Sequence, residues 1–108
     1  MSLLKQYQKE HPEPLRQATI LLLFRGDEVL LAMKKRGFGT GKWNGVGGKP
    51  NPGEDIDSAA TREAQEEIGV QVKDIIRVGE LNFYFPHVAT DQNWNQQVVI
   101  YKTEKMGW

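Results

Sequence analysis

Three glutamates stand at positions 63, 66 and 67. On a helix this spacing turns Glu66 and Glu67 about −60° and +40° from Glu63, so the three carboxylates share one face. Like charges this close repel unless a cation neutralises them. The face carries no Lys or Arg four residues on that would relieve the cluster. Two readings stand side by side. One is a solvated acidic helix face. The other is a metal centre built from hard oxygens. With no cysteine in the chain and no histidine nearby, that centre suits Mg²⁺ or Mn²⁺ better than zinc. Glu54, nine residues before Glu63, falls near the opposite side of an ideal helix and reads first as a carboxylate at the helix N-terminus.

The charges around the cluster are segregated. Across 108 residues, 14 Lys or Arg balance 14 Asp or Glu. From Val29 to Gly53 there are five basic residues (Lys34, Lys35, Arg36, Lys42, Lys49) and no acidic one. From Glu54 to Glu67 there are six acidic residues and one basic, Arg62. Either these are two ordinary solvated faces or an anion-binding loop is joined to a cation-binding helix. Zero net charge argues against bulk nucleic-acid or membrane binding. The absence of cysteine excludes disulfides and a thiolate nucleophile and fits a reducing, cytoplasmic setting. The longest apolar run, Ile20 to Phe24, is far too short to span a bilayer.

The elements that must position these groups follow from pattern. Residues 1–17, with Pro12 and Pro14, read as an N-terminal arm with a helical turn around Leu3 to Lys9, and residues 18–108 as the domain. Ala18 to Phe24 and Val29 to Met33 flank turn residues and predict a hairpin. Lys34 to Pro52 holds six glycines and excludes a helix interior; its amides are free to bend toward a ligand. A helix is expected from about Asp55 to Ile68, with Gly69 as its C-terminal glycine and Ile56, Ala60, Ala64 and Ile68 as its apolar stripe. Strands follow at Val70 to Val78, Glu80 to Phe85 and Gln96 to Thr103, with a polar loop between the last two.

One spacing is specific. Gly48, five residues, Glu54, seven residues, then Arg62-Glu63-Ala64-Gln65-Glu66-Glu67-Ile68-Gly69-Val70 resembles the Nudix box at every fixed position. Seven such positions, each filled by chance roughly 7% of the time, match with odds on the order of 10⁻⁸ per start site. Ala64 is small where the family more often has Leu or Val. The resemblance implies an α/β/α sandwich with a mixed sheet, and Mg²⁺- or Mn²⁺-dependent cleavage of nucleoside diphosphates linked to another group. It implies Glu63, Glu66 and Glu67 as metal ligands or water-ordering groups, Arg62 as the residue orienting them, and Gly48 as a backbone carbonyl ligand.

The stretch from Leu31 to Lys49 is further similar to the oxidised-purine nucleoside triphosphatases (8-oxo-dGTP diphosphatases, MutT-type) of the family. By that resemblance the substrate is an oxidised purine nucleoside triphosphate, released as monophosphate and pyrophosphate. Asn44, Phe38, Lys34, Thr19, Phe83 and Phe85 then line the base pocket, Lys34 or Lys49 meets phosphate, and Gly47 belongs to the substrate-binding set. Each has a plainer reading. Asn44-Gly45 is a turn dipeptide. Phe83 and Phe85 alternate as in any half-buried strand. Trp43 reads as a packing anchor and Met33 as core, and His11 and His87 receive no role. Sibling substrates are ADP-ribose, a dinucleoside polyphosphate or a capped RNA end. Family members continue for several tens of residues beyond the strand at Gln96 to Thr103, where this chain has five. The expectation is a domain lacking its C-terminal strands and second helix, or a catalytically incomplete nucleotide-binding fragment. The intact domain would be a monomer; a chain with an uncovered sheet face invites self-association.

Overall fold

A computed structural model describes residues 2–33, 43–88 and 94–107. In chain order the elements are α1 (Leu3–Glu10), β1 (Arg16–Arg25), β2 (Glu28–Leu30), β3 (Ala32–Met33), β4 (Trp43–Asn44), α2 (Ile56–Ile68), β5 (Gln71–Phe83) and β6 (Gln96–Gly107). The arm carries a two-turn helix. Ser2 caps it, its hydroxyl accepting from the Lys5 amide at 3.1 Å.

Four strands form one sheet in the order β2-β1-β6-β5. The β1–β2 hairpin turns at Gly26, whose φ of 60° suits a residue without a side chain. β6 runs parallel to β1 and antiparallel to β5, so the sheet is mixed, as expected. The two strands expected at Val70 to Val78 and Glu80 to Phe85 are one strand. Register shifts let it pass through Gly79: Arg77 pairs with Tyr101 and Gly79 with Ile100, leaving Val78 as the extra residue of a bulge.

Helix α2 packs on one face of the sheet. Asp55 caps it, accepting from the Ser58 amide, and Gly69 ends it in the left-handed region at φ 68°. Ala60 and Ala64 are fully buried against Leu21, Leu23, Val46, Val70, Val99 and Tyr101, with Ile56 and Ile68 at the margin. Small residues at the two central positions let the helix axis approach the strands closely. Among the described residues, β5 exposes much apolar surface. Ile76, Val78, Leu81 and Phe83 are 58%, 50%, 51% and 43% exposed, and β5 is an edge strand among the described residues. No helix among the described residues is long and apolar enough to cross a membrane.

Gly45 to Gly48 lie against β1 on the same edge that β2 occupies farther along. Val46 and Leu21 exchange both backbone hydrogen bonds, at 2.5 and 3.1 Å, and the Thr19 amide donates to the Gly48 carbonyl at 2.8 Å. A Cβ on Gly47 would stand 1.8 Å from the Thr19 carbonyl oxygen. These glycines therefore serve close backbone approach, and the Val46 amide is spent on β1 rather than turned toward a ligand.

Candidate active site

Arg62, on the second turn of α2, is the hub. Its Nε donates to Glu54 Oε2 at 2.8 Å and its Nη2 to Glu54 Oε1 at 3.0 Å, a bidentate pair. Nη2 also donates to the Lys49 carbonyl at 3.0 Å. Nη1 donates to Glu66 Oε2 at 2.9 Å and lies 3.1 Å from Glu63 Oε1. The guanidinium has five N–H donors, and this arrangement offers one acceptor to each. The acidic cluster thus has its relieving cation, placed four residues before Glu66 rather than four after.

Glu54 is the residue that spacing alone undervalued. It accepts the Asn51 amide at 2.9 Å, which closes the turn before α2 and brings the carboxylate round to Arg62. Its own pKa is held below the usual carboxylate range, by the Arg62 hydrogen bonds first and the Asn51 amide second. The Arg62 pKa is raised, chiefly by Glu54. The signal was present in the box, where Glu54 is a fixed position; helical geometry could not find it because Glu54 precedes the helix.

Gly48 sits directly on the Glu63 carboxyl. A Cβ there would stand 2.5 Å from Glu63 Cδ and 2.6 and 2.8 Å from its oxygens. Thr19, buried on β1, holds Gly48 from the other side. Its hydroxyl accepts from the Gly48 amide and donates to the Gly48 carbonyl, both at 3.3 Å. The chain is therefore linked from β1 through Thr19 and Gly48 to Glu63 and Arg62. Thr19, expected at the purine, has its hydroxyl engaged by this backbone.

The other expected site residues lie on α2, in the loop before it and at or just past the end of β5. Glu67 is exposed on the last turn of α2. Lys49 is exposed, with its carbonyl on Arg62. Phe83 is 43% exposed at the end of β5. Phe85 donates its amide to Asn95 Oδ1 at 2.8 Å, and its ring meets Trp94 edge-on with centroids 5.8 Å apart. Lys34 and Phe38 lie outside the described residues, as do the side chains of Asn44 and Trp43; the Asn44 backbone pairs with Ala32 between β4 and β3.

Among the described residues, no three Asp, Glu, His or Cys side chains are arranged to hold a metal ion. Glu54, Glu63 and Glu66 converge on Arg62 instead. The donor chemistry nonetheless fits a hard divalent cation: carboxylate oxygens and no sulfur, beside a Gly48 carbonyl that accepts from the Thr19 amide and hydroxyl.

A family model for the NUDIX domain matches residues 14–106. The oxidized purine nucleoside triphosphate hydrolase of Danio rerio is 51% identical over 67 residues, covering 62% of this chain and 43% of that protein. The NAD-capped RNA hydrolase NudC of Pseudomonas aeruginosa is 38% identical over 84 residues, 78% of this chain and 28% of that one. The chain spans less than half the length of these curated relatives. Among solved structures, the MutT NUDIX hydrolase from Burkholderia pseudomallei shares the fold with a TM-score of 0.76 at 21% identity, over 89% of this chain and 71% of that one. The MutT protein from Bacillus halodurans gives 0.68 at 26% identity, over 86% and 58%. A box complete at every fixed position, an arginine joining three of its glutamates and a family match over residues 14–106 together place this chain in the Nudix family.

Proposed function

We propose that this protein is a Mg²⁺-dependent nucleoside triphosphate pyrophosphohydrolase that acts in the cytoplasm on oxidised purine nucleotides such as 8-oxo-dGTP. The observation that carries the reading is the fully engaged Arg62, which fixes Glu54, Glu63 and Glu66 beside Gly48. Glu63, Glu66 and Glu67 would hold the metal, and the Gly48 carbonyl would join them on giving up the hydrogen bond from the Thr19 hydroxyl. When bound, the metal supplies charge neutralisation at the phosphate oxygens and lowers the pKa of the attacking water. Arg62, its donors spent on Glu54, Glu63, Glu66 and the Lys49 carbonyl, orients ligands and does not touch substrate. The missing Cβ at Gly48 is what admits the Glu63 carboxyl to the loop. Lys34 and Lys49 meet phosphate, and Phe38, Asn44, Phe83 and Phe85 receive the base. Thr19 steadies Gly48 at the boundary between the two.

Support for the purine substrate comes from the 51% identical relative. The NudC relatives, which align with more of this chain, support a second substrate class, a capped RNA end. The exposed apolar side chains of β5 favour self-association of this chain. The test incubates the protein with 8-oxo-dGTP, dGTP, ADP-ribose, a dinucleoside polyphosphate and NAD-capped RNA, with Mg²⁺ and with chelator. Release of monophosphate and pyrophosphate from 8-oxo-dGTP, fastest among the panel and lost with Glu67→Gln or chelator, is the expected result. Faster cleavage of another substrate overturns the substrate class. Nucleotide binding by calorimetry without any turnover would make the chain a binding fragment.

A further inference from the structure

Helix α1 lies before residue 14, outside the segment that matches the family, yet it is tied into the end of the sheet where Phe85 sits. The tie is a relay of side chains far apart in sequence. Tyr7 Oη accepts from Asn95 Nδ2 at 3.0 Å. The other end of the same amide, Oδ1, accepts the Phe85 backbone amide at 2.8 Å. The Asn95 carbonyl accepts the Arg16 amide at 3.3 Å, at the first residue of β1. One side chain thus fixes the main chain at Phe85, and Tyr7 holds that side chain from its other end.

Tyr7 is itself held in place. Its ring stacks on His11 at 4.1 Å, and His11 Nδ1 lies 3.0 Å from the Tyr7 carbonyl. Its edge meets Tyr84, the neighbour of Phe85, at 5.9 Å. Gln8 reaches the Tyr84 hydroxyl at 3.0 Å. The donor-only Phe85 amide sets which end of the Asn95 side chain faces it, and the Tyr7 hydroxyl holds the other end, so removing that hydroxyl leaves Asn95 anchored at one end of its amide.

We propose that Tyr7 and Asn95 are positioning residues for base recognition: α1 sets the place of the Phe85 wall, and through it the affinity for the nucleobase. This rests on the reading of Phe85 as a pocket wall given above. It assigns α1 a part in substrate selection and none in the chemistry at Glu63 and Arg62.

Tyr7→Phe keeps the ring contacts and deletes the relay. The expected result is a KM for 8-oxo-dGTP raised about fivefold with kcat within twofold, since one hydrogen bond is lost and the metal-binding glutamates are untouched. Asn95→Asp retains acceptors for both the Phe85 amide and a donating Tyr7 hydroxyl, and should restore wild-type KM; Asn95→Leu should not. Gln8→Ala weakens α1 without touching the relay and should leave KM unchanged. Two further readouts do not depend on turnover: the Kd for a non-hydrolysable 8-oxo-dGTP analogue by calorimetry, and hydrogen exchange at the Phe85 amide, which Tyr7→Phe should accelerate. An unchanged KM and Kd in Tyr7→Phe and Asn95→Leu overturns the inference while leaving the proposed function intact. A KM raised equally by Gln8→Ala also overturns it, because the effect would then be helix docking alone. Absence of both binding and turnover in the wild type overturns the proposed function and this inference with it.

Discussion

Replacing Gly48 with alanine separates the site from the fold. The new Cβ would meet Glu63 Cδ at 2.5 Å, where ordinary contact begins at 3.4 Å. The carboxyl must therefore retreat by about 0.9 Å. It sits at the end of a flexible side chain, and Gly48 is not one of the glycines with positive φ, so alanine suits the backbone. Lost freedom in the unfolded chain contributes about 0.4–1 kcal/mol in favour of the variant, against a similar cost for the disturbed contact. Stability should change little, with Tm within about 4 °C of wild type. Activity should not survive as well, because an error near 1 Å in a group at the reacting centre costs about 100-fold. Gly47→Ala gives the opposite case. Its Cβ would fall 1.8 Å from a backbone oxygen of β1, so the segment must leave the strand and its hydrogen bonds, at about 2 kcal/mol or more. Thermal unfolding by circular dichroism and steady-state hydrolysis of 8-oxo-dGTP measure both quantities on the same samples. Gly48→Ala retaining activity within threefold would refute the claim that Glu63 is placed by the absence of a side chain. A Tm loss equal to that of Gly47→Ala would show the contact to be part of the fold instead.

Three further outcomes are expected. Arg62→Lys replaces five directed donors by a point charge, so hydrolysis should fall by about 100-fold or more, with a lower Tm; wild-type kinetics in this variant would rule out the orienting role. Glu54 has a lowered folded pKa, so its contribution to stability is complete above its unfolded value near pH 4.3 and is lost as pH falls through the lower folded value. The urea midpoint of wild type should drop more steeply below about pH 4 than that of Glu54→Gln, and parallel profiles would refute the pairing. Buried Tyr101 donates to Asp57 and sits beside Arg77; desolvation first, then the Asp57 bond, raise its pKa. Its stabilisation is complete below about pH 10 and lost as pH rises through the raised value, and Tyr101→Phe should cost about 1 kcal/mol at neutral pH and flatten that alkaline decline in a denaturant series.

Helix α2 was readable because its signals are local. Asp55 caps it, Gly69 stops it, and the stripe from Ile56 to Ile68 repeats every four residues. The three glutamates share its face for the same reason. What could not be read depends on distance along the chain. Thr19 meets Gly48 across 29 residues and Tyr7 meets Asn95 across 88, and no periodicity records either. The glycine-rich loop shows how one composition serves two ends. Flexibility toward a ligand and room beside a neighbour both demand a missing side chain, and only the placement of β1 decides that Gly45 and Gly47 make room for a strand, as only α2 decides that Gly48 makes room for the Glu63 carboxyl. The fused β5 escaped because Gly79 looks like a break; only pairing with β6 turns it into part of a bulge.

The partnership of β1 with β6 also governs how the molecule can be made. Along their shared ladder, residues such as Gln17 and Gln97 lie 80 positions apart, and everything between must be looped out before the first rung forms. The hairpin and α2 can form early from neighbours in sequence, but the parallel pair closes late, and such topologies fold in milliseconds to seconds rather than microseconds. During synthesis, the edge of β1 that β6 will occupy stays unpaired until β6 has left the ribosome. Slowing elongation before Gln96 should therefore leave an assembly that holdase chaperones and proteases recognise, while Glu54, Arg62 and Glu66 are already joined.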